Sequence, residues 1–267
     1  MSEAQAIREK VRAKYGAIAR AAAGCCGPRD GCCADGSLDM IGDAYRAVEG
    51  HVAEADLGLG CGVPTRHAAL LPGEVVLDLG SGAGNDCFVA RHEVGPTGRV
   101  IGVDMTPEMI ARARANAEKL GYDNVEFRLG EIEHLPVDTG AIDCVISNCV
   151  LNLVPDKARA FAEIARVLAP GGRMCVSDIV ATGPIPEPVR EAAGLYVGCV
   201  AGAIPEAEYR GLLEAAGLVD VRVVEARAIP LPDEALAPHL DAAGIAAFRA
   251  SGVELRSVTV LARKPAA

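Results

Sequence analysis

Tryptophan is absent from the 267 residues, and other aromatics are scarce, with four Phe and five Tyr. Alanine, valine, leucine and glycine must therefore carry the packing, and the interior is expected to be built of small, close-fitting side chains. A surplus of basic charge is also missing. The formal net charge is -10, which argues against a protein built to hold nucleic-acid phosphates. No run approaches about 18 uninterrupted apolar residues, so no membrane span is expected. No basic amphipathic stretch marks a membrane-surface helix. The opening MSEAQAIREKVRAKYG is charged and lacks the apolar segment of a secretion signal. These absences point to a soluble cytoplasmic protein. Nothing in the pattern demands a partner for folding, so a monomer is expected.

What is present is cysteine. The chain holds ten, and four of them fall in CCGPRDGCC. Without a secretion signal an extracellular disulfide scaffold does not fit. Metal or metalloid binding, or thiol redox chemistry, becomes a serious reading. A hydrophobic content of 51% is enough for a full core. The length fits one large domain, or one domain with an appendage.

Apolar spacing predicts a helix over 3–23, from Ile7, Val11, Tyr15 and Ile18. Residues 24–40 read as loop and 42–55 as a short helix. LGLGCGVPTRHAAL leads into the main domain. From residue 75 strands and helices alternate. VVLDLG, RVIGVD, NVEFRLG, IDCVISN and GGRMCVSDIV read as strands. NDCFVARHEV, TPEMIARARANAEKLG and DKARAFAEIARVL read as helices, the second with Thr106 as cap and Pro107 at its first position. Such a run is an α/β doubly wound, mostly parallel sheet. VDVRVVEARAI and LRSVTVLARK complete seven strands as an antiparallel pair at one edge, giving the sheet an antiparallel edge strand. Residues 182–217 read as partly helical. Residues 227–250, rich in Ala and Pro, carry no assigned element. The expected division is an N-terminal helical and cysteine-rich segment (1–72), a core (73–181), and a covering region with the edge strands (182–267). There is no internal repeat.

LDLGSGAG sets Gly80, Gly82 and Gly84 between the first strand and its helix, where glycines permit a tight turn and close approach to a ligand. The motif alone is weak, since a ligand-free turn has the same form. Asp104 ends the second strand about 20 residues beyond, where its carboxylate can accept both hydroxyls of a ribose. That suits a nicotinamide cofactor or S-adenosylmethionine. Three features favour the latter. Asp78 lies inside the strand before the loop, placed for a cationic amino-acid moiety. Asn85 stands where a third dinucleotide-type glycine would be. Glu131, at the end of the third strand, is placed to meet an adenine edge.

VLDLGSGAGND, VIGVDMTPEMI and ARVLAPGG resemble the S-adenosylmethionine-dependent class I methyltransferases, with a Rossmann-like sheet, across residues 75–181. The resemblance implies that Asp78, Gly80, Ser81 and Gly82 contact the methionine portion of the donor. It implies that Asp104 and Met105 hold the ribose and adenine, and that Gly130, Glu131 and Ile132 line the adenine. Gly84 and Asn148 join this donor set.

The remaining cysteines divide by surroundings. Cys87, Cys144 and Cys175 lie within apolar strand or helix patterns and read as packing residues. Cys61, Cys149 and Cys199 sit beside glycine, asparagine or loop residues. From the residues alone, packing and chemistry are both open for them. The segments GCG, SNCVLNLVPDK and YVGCVAGAI closely resemble those of the arsenite S-adenosylmethionine methyltransferases, over about residues 10–225. The resemblance implies that Cys61, Cys149 and Cys199 hold trivalent arsenic as thiolates in a small arsenic-binding region, and that Cys25 or Cys26 takes part as a further cysteine. A soft centre selects thiolates. Three of them leave it a lone pair that attacks the sulfonium methyl without a general base, consistent with SNCV standing where an NPPY-like motif is absent. The implied substrate is arsenite or its glutathione complex, with glutathione or thioredoxin as reductant. A Cys61 disulfide with Cys25 or Cys26 would be the species reopened. Several family members are longer, with an additional C-terminal domain that this chain is too short to hold whole.

Other readings compete. A class I enzyme acting on carbon, oxygen or nitrogen of a small metabolite has no reason to place thiols at 61, 149 and 199. A thiol-rich metalloid-binding protein need not keep Asp78, Asp104 and Glu131. Adjacent cysteines in CCGPRDGCC are poorly spaced for structural zinc; a thiol loop that receives arsenic, including Cys32 and Cys33, fits them better. The five histidines form no metal spacing, and His134 reads as a solvated surface residue.

Overall fold

In the computed structural model the described residues are 2–20, 45, 47–196 and 200–266. Cys25, Cys26, Cys32, Cys33 and Cys199 lie outside them, as does the expected loop over 24–40. Five parallel strands come first: β1 (Val75–Leu79), β2 (Arg99–Asp104), β3 (Val125–Leu129), β4 (Ile142–Asn148) and β5 (Leu168–Ala181). They are followed by β6 (Val219–Ile229) and β7 (Leu255–Arg263). The sheet order is β3-β2-β1-β4-β5-β7-β6.

β6 and β7 form the expected antiparallel pair. The strand running against the others is β7, which lies one place in from the edge between β5 and β6; β6 is the edge strand. The physical reason is in the residues. β7 is buried along both faces, while β6 is mostly exposed, with Asp220, Arg222, Glu225 and Arg227 blunting its free edge.

The near-continuous apolar character of β1, β2 and β4 reflects burial on both faces. Leu77, Leu79, Ile101, Val103 and Val145 face one core, with α5 (Lys157–Val167) and α7 (Glu206–Ala215) over it. There Phe161 and Tyr209 meet edge to face at 5.1 Å, a contact worth about 0.5–1.5 kcal/mol beyond area burial. Val76, Val100, Cys144, Ile146 and Cys175 face the other core, under α3 (Asn85–Val94) and α4 (Pro107–Leu120).

Of the helix expected over 42–55, residues 42–44 and 46 lie outside the described residues, and no helix forms over the described remainder. Among the described residues 47–55 the chain makes turns. Gly50 stands at φ 82°, and a Cβ there would lie 2.7 Å from the His92 Cβ, so the segment bends where a helix would continue. α1 spans Glu3–Arg20 and the short α2 spans Thr65–Ala68. The stretch without assignment holds two helices, α8 (Asp233–Leu236) and α9 (Ala242–Ser251). Asp241 caps α9 by accepting from the Gly244 N–H at 2.8 Å. α6 (Glu187–Tyr196) and the turn Val200–Gly202 complete the covering region. Among the described residues no helix is long and apolar enough to cross a membrane.

Candidate active site

A cleft opens at the C-terminal ends of β1 to β4, where the order reverses between β1 and β4. Open α/β sheets bind ligands at that crevice. The glycine loop forms its floor. Gly80 (φ 68°) and Ser81 donate to the Val103 carbonyl at 2.7 and 3.1 Å, which stitches the loop to β2. A Cβ on Gly80 would stand 2.5 Å from the methyls of Val150, so only glycine brings the β4 loop this close. Gly82 lines the cleft, whereas Gly84 packs away from it under the rings of Phe88 and Phe127.

Asp104 lines the cleft. Its Oδ2 accepts from Gly82 N–H at 3.0 Å and its Oδ1 from Thr106 N–H at 2.8 Å. Each oxygen keeps a lone pair for a ligand hydroxyl. Met105, Gly130, Glu131, Ile132 and Asn148 also line the cleft. Asp78 does not. It lies under the loop, where the Cys87 thiol donates to its carboxylate at 3.2 Å.

The carboxylate that does reach the cleft from this side is Asp86, in the first turn of α3. Sequence reasoning passed over it, although an acidic residue just after a glycine loop was a usable signal. Burial lifts its carboxyl to about 6, against opposing hydrogen bonds from Tyr45 and Asn148. Burial and the charge of Asp86 push Asp78 well up; burial also raises Asp104. Arg8 is the basic side chain among the described lining residues, and Glu133 and Glu131 already take it at 2.8 and 3.4 Å. Among the described lining residues the acid group is therefore left without a cation of its own. Through Arg8, Val11 and Tyr15, α1 forms a wall that sequence reasoning also missed. Arg12 joins Arg8 on Glu131 at 3.5 Å. His134 is exposed, as expected of a solvated residue.

Cys149 follows β4 directly. Its side chain is buried and lines the cleft. Its backbone stands at φ 61° while its N–H donates to the Ser177 carbonyl at 2.7 Å. A left-handed non-glycine residue costs about 1–3 kcal/mol, and such strain gathers at functional positions. Cys61 is held from both sides: its N–H donates to Asn148 Oδ1 at 3.0 Å and its carbonyl accepts from Ser257 Oγ at 2.5 Å. The glycines of GCG serve close approach. A Cβ on Gly60 would sit 2.6 Å from Asn148 Nδ2, and one on Gly62 2.4 Å from Ser177 Oγ.

Cys61 and Cys149 belong to one buried apolar cluster with Ile179, Val189, Val200 and Ala203. Val200 follows Cys199 in the chain. Cys87, Cys144 and Cys175 sit in the core beneath α3 instead, as their patterns implied. Burial drives the Cys144 thiol up to about 12 and pushes Cys87 and Cys175 upward as well, which keeps them inert. Among the described residues no three His, Cys, Asp or Glu side chains group as metal ligands.

Ser81 Oγ is buried in the loop and, among the described residues, has no hydrogen-bond partner. That orphan hydroxyl, the unmatched carboxylates and the paired acceptors of Asp104 fit an amino-acid moiety carrying positive charge next to a ribose. A model for a methyltransferase domain matches residues 70–217. The chain is 47% identical over 270 residues to an arsenite methyltransferase of Halobacterium salinarum, covering 97% of this chain and 67% of that protein. It is 36% identical to the human arsenite methyltransferase, over 73% of this chain and 54% of that one, so it spans about half that relative's length. The crystal structure of an arsenic(III) S-adenosylmethionine methyltransferase from Chlamydomonas reinhardtii superposes with a TM-score of 0.64 at 39% identity, covering 76% of this chain and 66% of that one. Sequence, sheet order and cleft together place the chain in the arsenite methyltransferase family of the class I methyltransferases.

Proposed function

We propose that this chain transfers a methyl group to trivalent arsenic held by the thiolates of Cys61, Cys149 and Cys199. The observation that carries the reading is the shared buried cluster of Cys61 and Cys149, with Cys149 bent into the wall of the donor cleft. Bound S-adenosylmethionine supplies an electrophilic methyl on a positively charged sulfur. Asp104 takes the ribose hydroxyls, Ser81 and Asp86 the amino-acid end, and Met105, Gly130, Glu131 and Ile132 the adenine. Asp78 acts from below the loop as a second negative charge.

The thiolates hold a soft atom in a pyramid and leave its lone pair outward. No base is required, and the task left to the protein is alignment in a water-poor site. Residues 182–267 serve as the substrate cover, since Ile185, Val189, Val200, Ala203 and Phe248 close over both thiols. Residues 73–181 form the donor core, and the segment 1–72 brings Cys61 to it. Transfer leaves arsenic pentavalent. A further round needs two electrons, which Cys61 and Cys25 or Cys26 supply by forming a disulfide. Glutathione or thioredoxin then reopens it.

The test is direct. Reduced protein is mixed with arsenite, glutathione and S-adenosylmethionine, and methylated arsenic is sought by element-specific chromatography. Product from the wild type, and none from Cys149→Ser or Cys199→Ser at unchanged donor affinity, is the expected result. Undiminished product from both variants rejects the thiolate site.

A further inference from the structure

Asn148, the last residue of β4, carries more hydrogen-bond partners than its side chain can serve at once. Its Oδ1 accepts from the backbone N–H of Cys61 at 3.0 Å and of Gly62 at 3.3 Å. Its Nδ2 lies 2.8 Å from the Gly62 carbonyl, 2.7 Å from the Tyr45 hydroxyl and 3.3 Å from Asp86 Oδ2. An amide nitrogen has two hydrogens, so three acceptors compete for two. Tyr45 in turn donates to Asp86 Oδ1 at 2.5 Å. Tyr45, Asp86 and Asn148 all line the donor cleft, while the amide's other contacts define where Cys61 sits.

We propose that the Tyr45–Asp86–Asn148 network couples the donor cleft to the seating of Cys61, so that donor and trivalent arsenic bind cooperatively. The arsenic half of this rests on the function proposed above. The Asp86 carboxylate, which meets no cation among the described lining residues, attracts the Asn148 N–H dipole toward the cleft and away from Gly62. A cation bound beside Asp86 cancels that attraction. One N–H then settles on Tyr45 and the other on Gly62, and the Cys61 loop is held at both its N–H and C=O groups. The loop cannot absorb the change by sliding inward, because Gly60 and Gly62 already touch Asn148 and Ser177. Tyr45, Asp86 and Asn148 are positioning residues here. Linkage makes the effect reciprocal, with each ligand tightening the other by the same factor.

The experiment measures binding without turnover. Arsenite is dialysed against the reduced protein with and without sinefungin, an unreactive analogue with an ammonium where the donor has its sulfonium. In parallel, iodoacetamide labelling of the Cys61 peptide is timed by mass spectrometry. In the wild type, sinefungin is expected to tighten arsenite by about fivefold or more and to slow Cys61 labelling by a similar factor. Tyr45→Phe, which keeps the ring beside His51, and Asn148→Ala are expected to bring both ratios close to one. The thermal unfolding midpoint verifies the fold of each variant, and sinefungin is held at saturation for each. A wild-type labelling ratio of one overturns the coupling, as does an undiminished ratio in Tyr45→Phe. If the wild type binds no arsenite under either condition, the arsenic reading falls, and the labelling arm alone decides whether the cleft controls Cys61.

Discussion

The carbonyl oxygen of Asn152 lies 1.8 Å from the place a Cβ on Gly202 would occupy. The turn after Cys149 and the turn after Cys199 therefore meet backbone to backbone. Asn152 is fixed in this contact by donating its Nδ2 to the Ile179 carbonyl at 2.7 Å.

Gly202→Ala is predicted to push the two turns apart. Overpacking of this kind costs about 1–3 kcal/mol, which thermal unfolding reads. Arsenite binding should weaken by at least an order of magnitude while donor affinity, measured by calorimetry, keeps its value. An alanine variant with normal arsenite affinity would remove the contact from the account of the site.

At Cys149 the left-handed backbone makes a prediction about stability as well as activity. Cys149→Gly and Cys149→Ala should both be inactive on arsenite. The glycine variant should be the more stable of the two by about 1 kcal/mol, the reverse of the usual order, because only glycine takes φ 61° without strain. Denaturant midpoints of the pair decide it.

Asp86 is predicted to govern the pH dependence of donor binding. Its carboxyl is raised to about 6, mainly by burial. Below that pH the cleft holds a proton that a cationic ligand must expel, so donor affinity should fall as pH drops through 6 and level off above it. The stability sign is opposite. A carboxyl raised above its unfolded value of 3.8 contributes no penalty below 3.8. Its penalty grows between 3.8 and about 6 and is full above that. Asp86→Asn should therefore melt higher at pH 8 while losing both donor affinity and its pH dependence. Calorimetric titrations at pH 5, 6 and 8 test both halves.

Asp104→Ala should weaken the donor by tenfold or more, about 1.4 kcal/mol, since it removes the ribose acceptor and leaves the Gly82 and Thr106 N–H groups without their carboxylate. Asp104→Asn keeps one acceptor and should lose less. Equal donor affinity in wild type and the alanine variant would exclude Asp104 from the ribose site.

Much of the fold was legible from residue 75 onward because parallel strands buried on both faces are apolar throughout, and Gly95 and Gly121 mark the ends of the first two crossover helices. Asp104 and the glycine loop were legible for a related reason: the turn from strand to helix places them at the rim by local geometry alone. The end of the chain was harder. The alanine-rich α9 lacks a sharp apolar stripe, and its Asp241 cap and terminal Gly252 were the local marks available. Position in the sheet is not a local property either. β7 enters between β5 and β6 because it is the strand apolar enough to be buried on both faces.

By itself the sequence determined the class of fold, the donor loop and the three cysteine segments that set the chain apart from other methyltransferases. Tertiary structure decided which of the two carboxylates lines the cleft, Asp86 and not Asp78. It also decided that Tyr45, more than a hundred residues from Asn148, shares an amide with it, and that Cys61 is held by Ser257, 196 positions away. Strand periodicity reports which face a side chain takes. Which distant segment crosses that face is set by how the N-terminal chain lies over the finished sheet.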